Sequence, residues 1–430
     1  MIREIKIENF LSFWNETTFS FEEAKEDAIN RTVVMPDGMR LLRFAVIFGA
    51  NASGKSNFLK VFDFIRMFWT RVPMRNDSST GVVPFLLNDT SKKEDSSFEL
   101  KFYVKGVQYW YKLRLNSERV ESEVLYYYPN AAIQPTKILT RSFEDGKSVV
   151  KFNPVAVKIK PAELDAINVN CWKNMSLFAT LTRVNVSMDV VDVVREWISE
   201  KFLPNVNRNT ELSSYAKEKL LNDKEFKNYL LNFAKKADFR IEDINVKETS
   251  IPLSKEQLDY INGLSMLDEK SKAELNEKRT LIDVSTEFLI RTKGEDGDEF
   301  HYLPEEYQSE GTTRMLEIES TIYTMLKKGA FLAVDEIEAS LHSNLLDYIL
   351  TEFLKVNNNE SQLLVSSHYD PLLKAINDLY GKDSVWFTEK NEDGGTELYS
   401  LVEFKGLYKI KSIHNAYKNG QFGAIPEIYV

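Results

Sequence analysis

The chain contains one cysteine and four histidines among 430 residues. A single thiol cannot build a disulfide framework or a Cys-rich zinc site, and it suits a reducing cytosol. With histidine confined to His301, His342, His368 and His414, each one that falls in a motif carries weight. Long apolar runs are missing too: none approaches the ~20 residues of a membrane span, so no membrane association is expected. Met1 to Phe10 is charged and alternating and lacks the apolar stretch of a signal peptide, which predicts a cytoplasmic protein. Positive charge is in deficit, with 55 Lys and Arg against 65 Asp and Glu for a net −10. That excludes a surface that wraps nucleic acid throughout and leaves room only for a local basic patch. What is abundant is apolar and aromatic: 43% hydrophobic residues, with 27 Phe and 19 Tyr. Such a chain folds around a sizeable core, and its length suits two or three structural units.

Patterning along the chain divides it into three stretches. Ile5 and Ile7, then Thr17, Phe19 and Phe21, alternate as half-buried strands. Leu41 to Phe48 (LLRFAVIF) reads as one strand buried on both faces. Asn57 to Thr70 follows with Phe58, Val61, Phe62, Ile65 and Phe68 at helical spacing. From Phe98 to Val150 the sequence reads as β-hairpins, with Gln108 inside one of them. Residues from about 160 to 280 read as helical and charged, without sustained heptads. After about residue 284 strands and helices alternate again, including Ala330–Val334, Leu345–Lys355, Leu363–Ser366, a helix over Pro371–Asp378 and a final β-pair. The expectation is an α/β domain over 1–155 and 284–430, split by a helical insertion over 156–283.

Four motifs carry chemistry. Gly49-Ala-Asn51-Ala-Ser53-Gly54-Lys55-Ser56 satisfies G-x-x-x-x-G-K-[ST] between the buried strand and the helix. Its glycines let backbone N–H groups converge on phosphate oxygens, the helix adds its positive end, Lys55 reaches the β/γ-phosphates and Ser56 ligates Mg²⁺. Phe331-Leu-Ala-Val-Asp335-Glu336 ends an apolar strand in two acids. Asp335 there suits a Mg²⁺ ligand and Glu336 a general base or water-positioner. His368 closes the strand beginning at Gln362, where a side chain can sense a γ-phosphate. Ser309-Glu-Gly311 precedes a helix and, by itself, is only a helix cap.

Together these residues resemble the ATP-binding-cassette (ABC) ATPase core of the SMC, RecF and OLD families, which implies an α/β P-loop core with a β-rich lobe. Ile5-x-Ile7-x-Asn9-Phe10 is similar to the opening strand of that group, and Asn51 and Asn57 fall in its P-loop region. Ser309-Glu-Gly311 is similar to its signature motif. Asp335-Glu336-Ile-Glu338-Ala-Ser340-Leu341-His342 resembles the OLD-type run from Walker B into the D-loop, and His368 matches the switch histidine. Pro84-Phe85 and Tyr417-Lys-Asn-Gly420-Gln-Phe422-Gly423-Ala-Ile-Pro426 resemble the AbiL/RloA-like ATPases of bacterial abortive-infection systems.

The resemblance implies ATP and Mg²⁺ as cofactors, held between two head-to-tail copies of a homodimer or higher homo-oligomer. Gly49, Asn51, Ser53, Gly54, Lys55, Ser56 and Asn57 would bind nucleotide in one copy, with Ser56 and Asp335 on the metal and Glu336 and His368 catalytic. Ser309 and Gly311 would come from the other copy. The chain lacks the TOPRIM acids of OLD nucleases after His368, so the implied partner is a separately encoded effector, a nuclease or toxin. A nucleic-acid or phage-derived trigger completes that picture. The alternative is a RecF-like DNA-repair ATPase; a transporter subunit fits neither the length nor the insertion. Lys405, Lys409, Lys411 and Lys418 give the C-terminal segment a basic cast, either a face toward DNA or an acidic partner or a solvated face.

Overall fold

Dense apolar runs become the strands of a five-stranded sheet, ordered Phe331–Val334, Gln362–Ser366, Phe44–Gly49, Val385–Lys390 and Thr396–Ser400. The first four are parallel and the last pairs antiparallel with its neighbour. Every residue of the first three is buried, which is why they show no polar alternation. Parallel strands place all their carboxyl ends on one edge, the usual seat of ligands in such sheets. The structure, a computed structural model, describes residues 1–430 except 25–30, 238, 264–268, 357–359 and 427–430.

A second, seven-stranded antiparallel sheet runs in the order Lys147–Phe152, Thr136–Glu144, Val120–Tyr128, Val107–Leu115, Ser96–Val104, Ile2–Glu8 and Thr17–Ser20. Helix Lys55–Thr70 buries Phe58, Val61, Phe62, Ile65 and Phe68, the stripe its sequence spacing predicts. That stripe joins residues of both sheets in one apolar core. Asn9, with φ 52°, donates its side-chain amide to the carbonyls of Ser91 (2.8 Å) and Glu94 (3.1 Å) and accepts from Phe85 N (3.0 Å). Phe85 stacks on Trp14 at 5.8 Å, so the Asn9-Phe10 and Pro84-Phe85 motifs belong to one knot.

By contacts the chain forms two units: Met1–Asn209 with Thr324–Ala339 and Leu346–Val430, and Thr210–Tyr323 with Ser340–Leu345. The expected insertion over 156–283 does not coincide with either. Helices Pro161–Asn170, Leu177–Leu181 and Asp189–Lys201 belong to the first unit. The second unit holds helices Ser213–Asn222, Lys224–Lys236, Lys255–Gly263 and Glu269–Lys278 and most of Glu310–Lys328, but also a three-stranded antiparallel sheet of Ile241–Pro252, Thr280–Gly294 and Gly297–Pro304. A wholly helical middle was the expectation. The long strands escape a reading by apolar content because their outer halves are exposed and polar, leaving Ile241, Ile244 and Phe288 as the buried anchors.

Two smaller corrections have clear causes. The run Leu41–Phe48 is two strands in two sheets, Arg40–Leu42 and Phe44–Gly49, broken at Arg43. The Arg43 guanidinium is buried and donates to the carbonyls of Phe353 (3.3 Å) and Val356, which turns the chain between the sheets. The helix expected over Pro371–Asp378 is a 3₁₀ segment, Asp370–Ala375. The polar stretch 356–361 (VNNNES), which reads as a loop, lies partly outside the described residues.

Candidate nucleotide site

Gly49 ends the central strand, and Lys55 starts the helix that follows it. The turn between them demands glycine twice. Gly54 has φ +115°, and a Cβ there would collide with the Thr396 side chain. A Cβ on Gly49 would lie 2.5 Å from the Thr388 carbonyl and 2.6 Å from Ser53 Oγ. Thr388 and Thr396 sit on the hairpin formed by the last two strands of the sheet and act as props. Ser53 Oγ bonds Thr388 Oγ1 at 2.6 Å, while Thr396 Oγ1 meets Ser53 O at 2.9 Å and Ser12 Oγ at 2.8 Å. Asn57 Nδ2 donates to the same Ser12 hydroxyl at 3.0 Å, which pins the first helical turn. Neither threonine nor Ser12 stands out in the sequence, because the contacts need strands more than 330 residues apart.

Lys55 is buried and its ammonium turns back onto the loop, donating to Gly49 O at 2.7 Å and Ala50 O at 3.0 Å. Its Nζ lies 3.4 Å from His368 Nδ1. Burial lowers the Lys55 pKa to about 8, against the opposing pull of Asp335, Glu338 and Glu336. Both neighbouring strands deliver their polar ends here. Asp335 follows Phe331–Val334, and His368 follows Gln362–Ser366. Glu336 adopts φ 50°, and its Oε1 stands 3.6 Å from His368 Nε2. Sequence and structure therefore agree in gathering Lys55, Asp335, Glu336 and His368.

Two more residues join this cluster, and the sequence motifs give neither of them a role. Ser366, fully buried, donates its hydroxyl to Asp335 Oδ1 and accepts Glu336 N at 2.9 Å. A hydroxyl is the smallest side chain that can donate and accept at once, so one serine orients both acids. Glu338 accepts the backbone N–H of His368. The sequence holds two hints: Glu338 lies inside the Asp335–His342 run, and Ser366-Ser367 stands directly before His368. Gln108, by contrast, lies in strand Val107–Leu115 and accepts from Arg3 and Tyr103 (2.9 Å each), a structural post.

The second unit holds the other predicted site residues. Ser309 caps helix Glu310–Lys328, accepting Thr312 N at 3.1 Å. Gly311 has room for little more than hydrogen, since a Cβ would lie 3.1 Å from the Ser340 carbonyl. Ser340, at φ 62°, donates to the carboxylate of Glu310. His342 accepts Asn344 N at 3.3 Å.

A buried parallel sheet, a strand–loop–helix with G-x-x-x-x-G-K-S, and two acids on the adjoining strand tip define a P-loop nucleotide-binding protein. A family described as an AAA domain, putative AbiEii toxin of type IV toxin–antitoxin systems, matches residues 44–373, and the chain belongs to that family. Among solved structures the chain is similar to the SMC head domain from Thermotoga maritima, at 13% identity over 93% of this chain and 98% of that one, with a TM-score of 0.40. It is similar at 14% identity, over 94% of this chain and 99% of that one, to an Smc head bound to the C-terminal winged-helix domain of ScpA, with a TM-score of 0.42. An Smc head with an extended coiled coil, bound to the C-terminal domain of ScpA and derived from Pyrococcus furiosus, gives 14% identity, 98% of each chain and 0.39. No curated protein matches the chain. Among the described residues no helix is long and apolar enough to cross a membrane.

Proposed function

We propose that the chain is a switch ATPase of a bacterial anti-phage system, closing head-to-tail with a second copy around ATP and controlling a separately encoded nuclease or toxin. The observation that supports it most is the gathering of Lys55, Asp335, Glu336 and His368 at the carboxyl edge of one buried parallel sheet. Phosphates would draw the Lys55 ammonium off Gly49 and Ala50, and the backbone N–H groups after Gly49 would take the phosphate oxygens. Ser56 and Asp335 offer hard oxygen donors of the kind Mg²⁺ takes alongside phosphate, and among the described residues no cluster of three His, Cys, Asp or Glu competes for a metal. When bound, Mg²⁺ would supply positive charge that offsets the negative charge developing on the phosphate oxygens.

Glu336 would take a proton from the attacking water, and His368 would contact the γ-phosphate from the other side of Glu336. Ser309 and Gly311 of a second copy would complete the site, their helix N-terminus favouring anionic oxygens. Loss of the γ-phosphate would then release the pair of copies, a switch of the phosphate-held kind. The family's description as a putative toxin fits a chain that works beside, or in place of, a toxic partner.

The test is direct. Glu336→Gln should retain ATP, cut turnover by about 100-fold or more and accumulate a dimer visible by sedimentation. Lys55→Ala should lose ATP binding and the dimer together. Normal turnover in Glu336→Gln would remove Glu336 from the base role. Purification with the neighbouring gene products, with and without ATP, would reveal whether an effector travels with the chain.

A further inference from the structure

The seven-stranded sheet carries a polar network that the phosphate loop does not use. Glu123 and Arg141 are register partners on neighbouring strands, both fully buried, with Nη1 3.2 Å from Oε2. Glu123 also accepts Tyr111 OH at 2.9 Å and Leu177 N at 2.9 Å. Arg141 donates to Trp172 O at 2.7 Å, Ser148 Oγ at 3.0 Å and the Met175 carbonyl. Burying an ion pair is a poor source of stability, and breaking one is costly. What this pair accomplishes is placement: it ties the hairpin Thr136–Phe152 to the stretch Trp172–Leu177.

Those two segments wall an open groove of about 800 Å³, within the ~300–1,000 Å³ typical of ligand sites. Lys147 and Lys173 line it, with Phe143 and Trp172 as aromatic walls. Among the described residues, neither lysine stands within ion-pair distance of a carboxylate. Asp77, the acid on the lining, is held by Arg75 through bonds of 2.9 and 2.7 Å. A guanidinium covers one face of each aromatic wall: Arg183 lies 4.4 Å over the Trp172 ring, and Arg119, itself paired with Glu121 at 2.7 Å, lies 4.8 Å over Phe143. The surroundings share this sign. Residues 96–183 contain 13 Lys and Arg against 8 Asp and Glu, +5 in a chain of −10.

We propose that this groove binds single-stranded nucleic acid, with bases against Trp172 and Phe143 and phosphates at Lys147 and Lys173. Aromatic walls beside unpaired cations suit a strand whose bases are unstacked, whereas a duplex hides its base faces. An acidic peptide would satisfy the lysines and leave the aromatic walls unused. The inference goes beyond the switch reading and does not rest on it, because no residue of the phosphate loop takes part.

Fluorescence anisotropy of a labelled oligo-dT on the full chain tests it, with salt stepped from about 50 to 200 mM. Affinity should fall steeply with salt. The double variant Lys147→Ala/Lys173→Ala should bind about 10-fold or more weakly and flatten the log–log salt slope by about 1.4, at ~0.7 per lost phosphate contact. Trp172→Ala should weaken binding about 5-fold or more; only the Trp172 carbonyl serves Arg141, so the network survives that change. Thermal melting and ATP binding serve as checks on folding, since both lysines project from the framework. Lys55→Ala should bind oligo-dT as wild type does, which separates this site from the ATP switch. No binding at low salt, or binding indifferent to the two lysines, would overturn the proposal. So would a mononucleotide that competes as well per nucleotide as oligo-dT, or polyglutamate that displaces it equally.

Discussion

Lys55 and Arg141 are both buried cations, and they do opposite things. Arg141 has a buried carboxylate partner on the next strand and gives its other Nη hydrogens to Trp172, Ser148 and Met175, with Nε left over. Lys55 has no carboxylate within ion-pair distance among the described residues; it rests on two carbonyls and feels Asp335, Glu338 and Glu336 only through space. A buried cation whose donors face fixed protein acceptors is a clamp. One held by weak, replaceable acceptors is a seat waiting for a stronger anion. The contrast extends to whole regions. Residues 96–183 carry +5, while the second unit, with 16 basic and 25 acidic residues, carries −9, nearly all of the chain's excess.

The clamp predicts the largest effect. Arg141→Ala should destabilise the fold by about 3–5 kcal/mol, because Glu123 is left buried and unpaired, as measured by urea unfolding. Lys55→Ala should not destabilise the nucleotide-free fold, because it removes a cation that burial disfavours, while abolishing the ATP-induced rise in melting temperature. If the two variants lost similar stability, the distinction between clamp and seat would collapse. Ser366→Ala should come next: two half-buried polar groups lose their shared partner, worth about 1–3 kcal/mol for the two bonds together. Turnover should fall with little change in ATP affinity, and Ser366→Thr should restore part of it. A purely structural serine would instead lower stability alone.

The last effect is a pH dependence. Burial lowers the Lys55 pKa in the folded chain from 10.5 to about 8, so between those values the unfolded chain binds more protons. Stability of the nucleotide-free protein should therefore rise with pH across that window, and the Lys55→Met variant should lack the rise. ATP affinity should run the other way and weaken above pH ~8, as the seat loses its charge. A flat ATP affinity up to pH ~10 would show that the ammonium is not the phosphate's main partner.

Much of this could be read from the chain alone, for physical reasons. Gly49–Ser56, Asp335-Glu336 and His368 each sit where a short apolar run ends, and a strand end is a local event. Ser366, Thr388, Thr396 and Ser12 act through partners that only the sheet brings close, so no window of sequence contains the reason for them. The Glu123–Arg141 pair is hidden in the same way, since alternation marks both residues only as members of strands. The sheet of the second unit was missed because its strands project apolar side chains into a core along only part of their length.

The hairpin Val385–Ser400 serves two neighbours at once. Thr388 and Thr396 prop the phosphate loop, while Phe387 stacks on Tyr417 and Phe422 at 5.4 and 5.8 Å and Tyr399 donates to the Phe422 carbonyl at 2.9 Å. The Tyr417–Pro426 motif is therefore upholstery for the back of the nucleotide seat. Shortening or fusing the chain within that motif would be felt at Ser53 through a single hairpin, which makes this stretch a poor place for a tag and a sensitive one for a label.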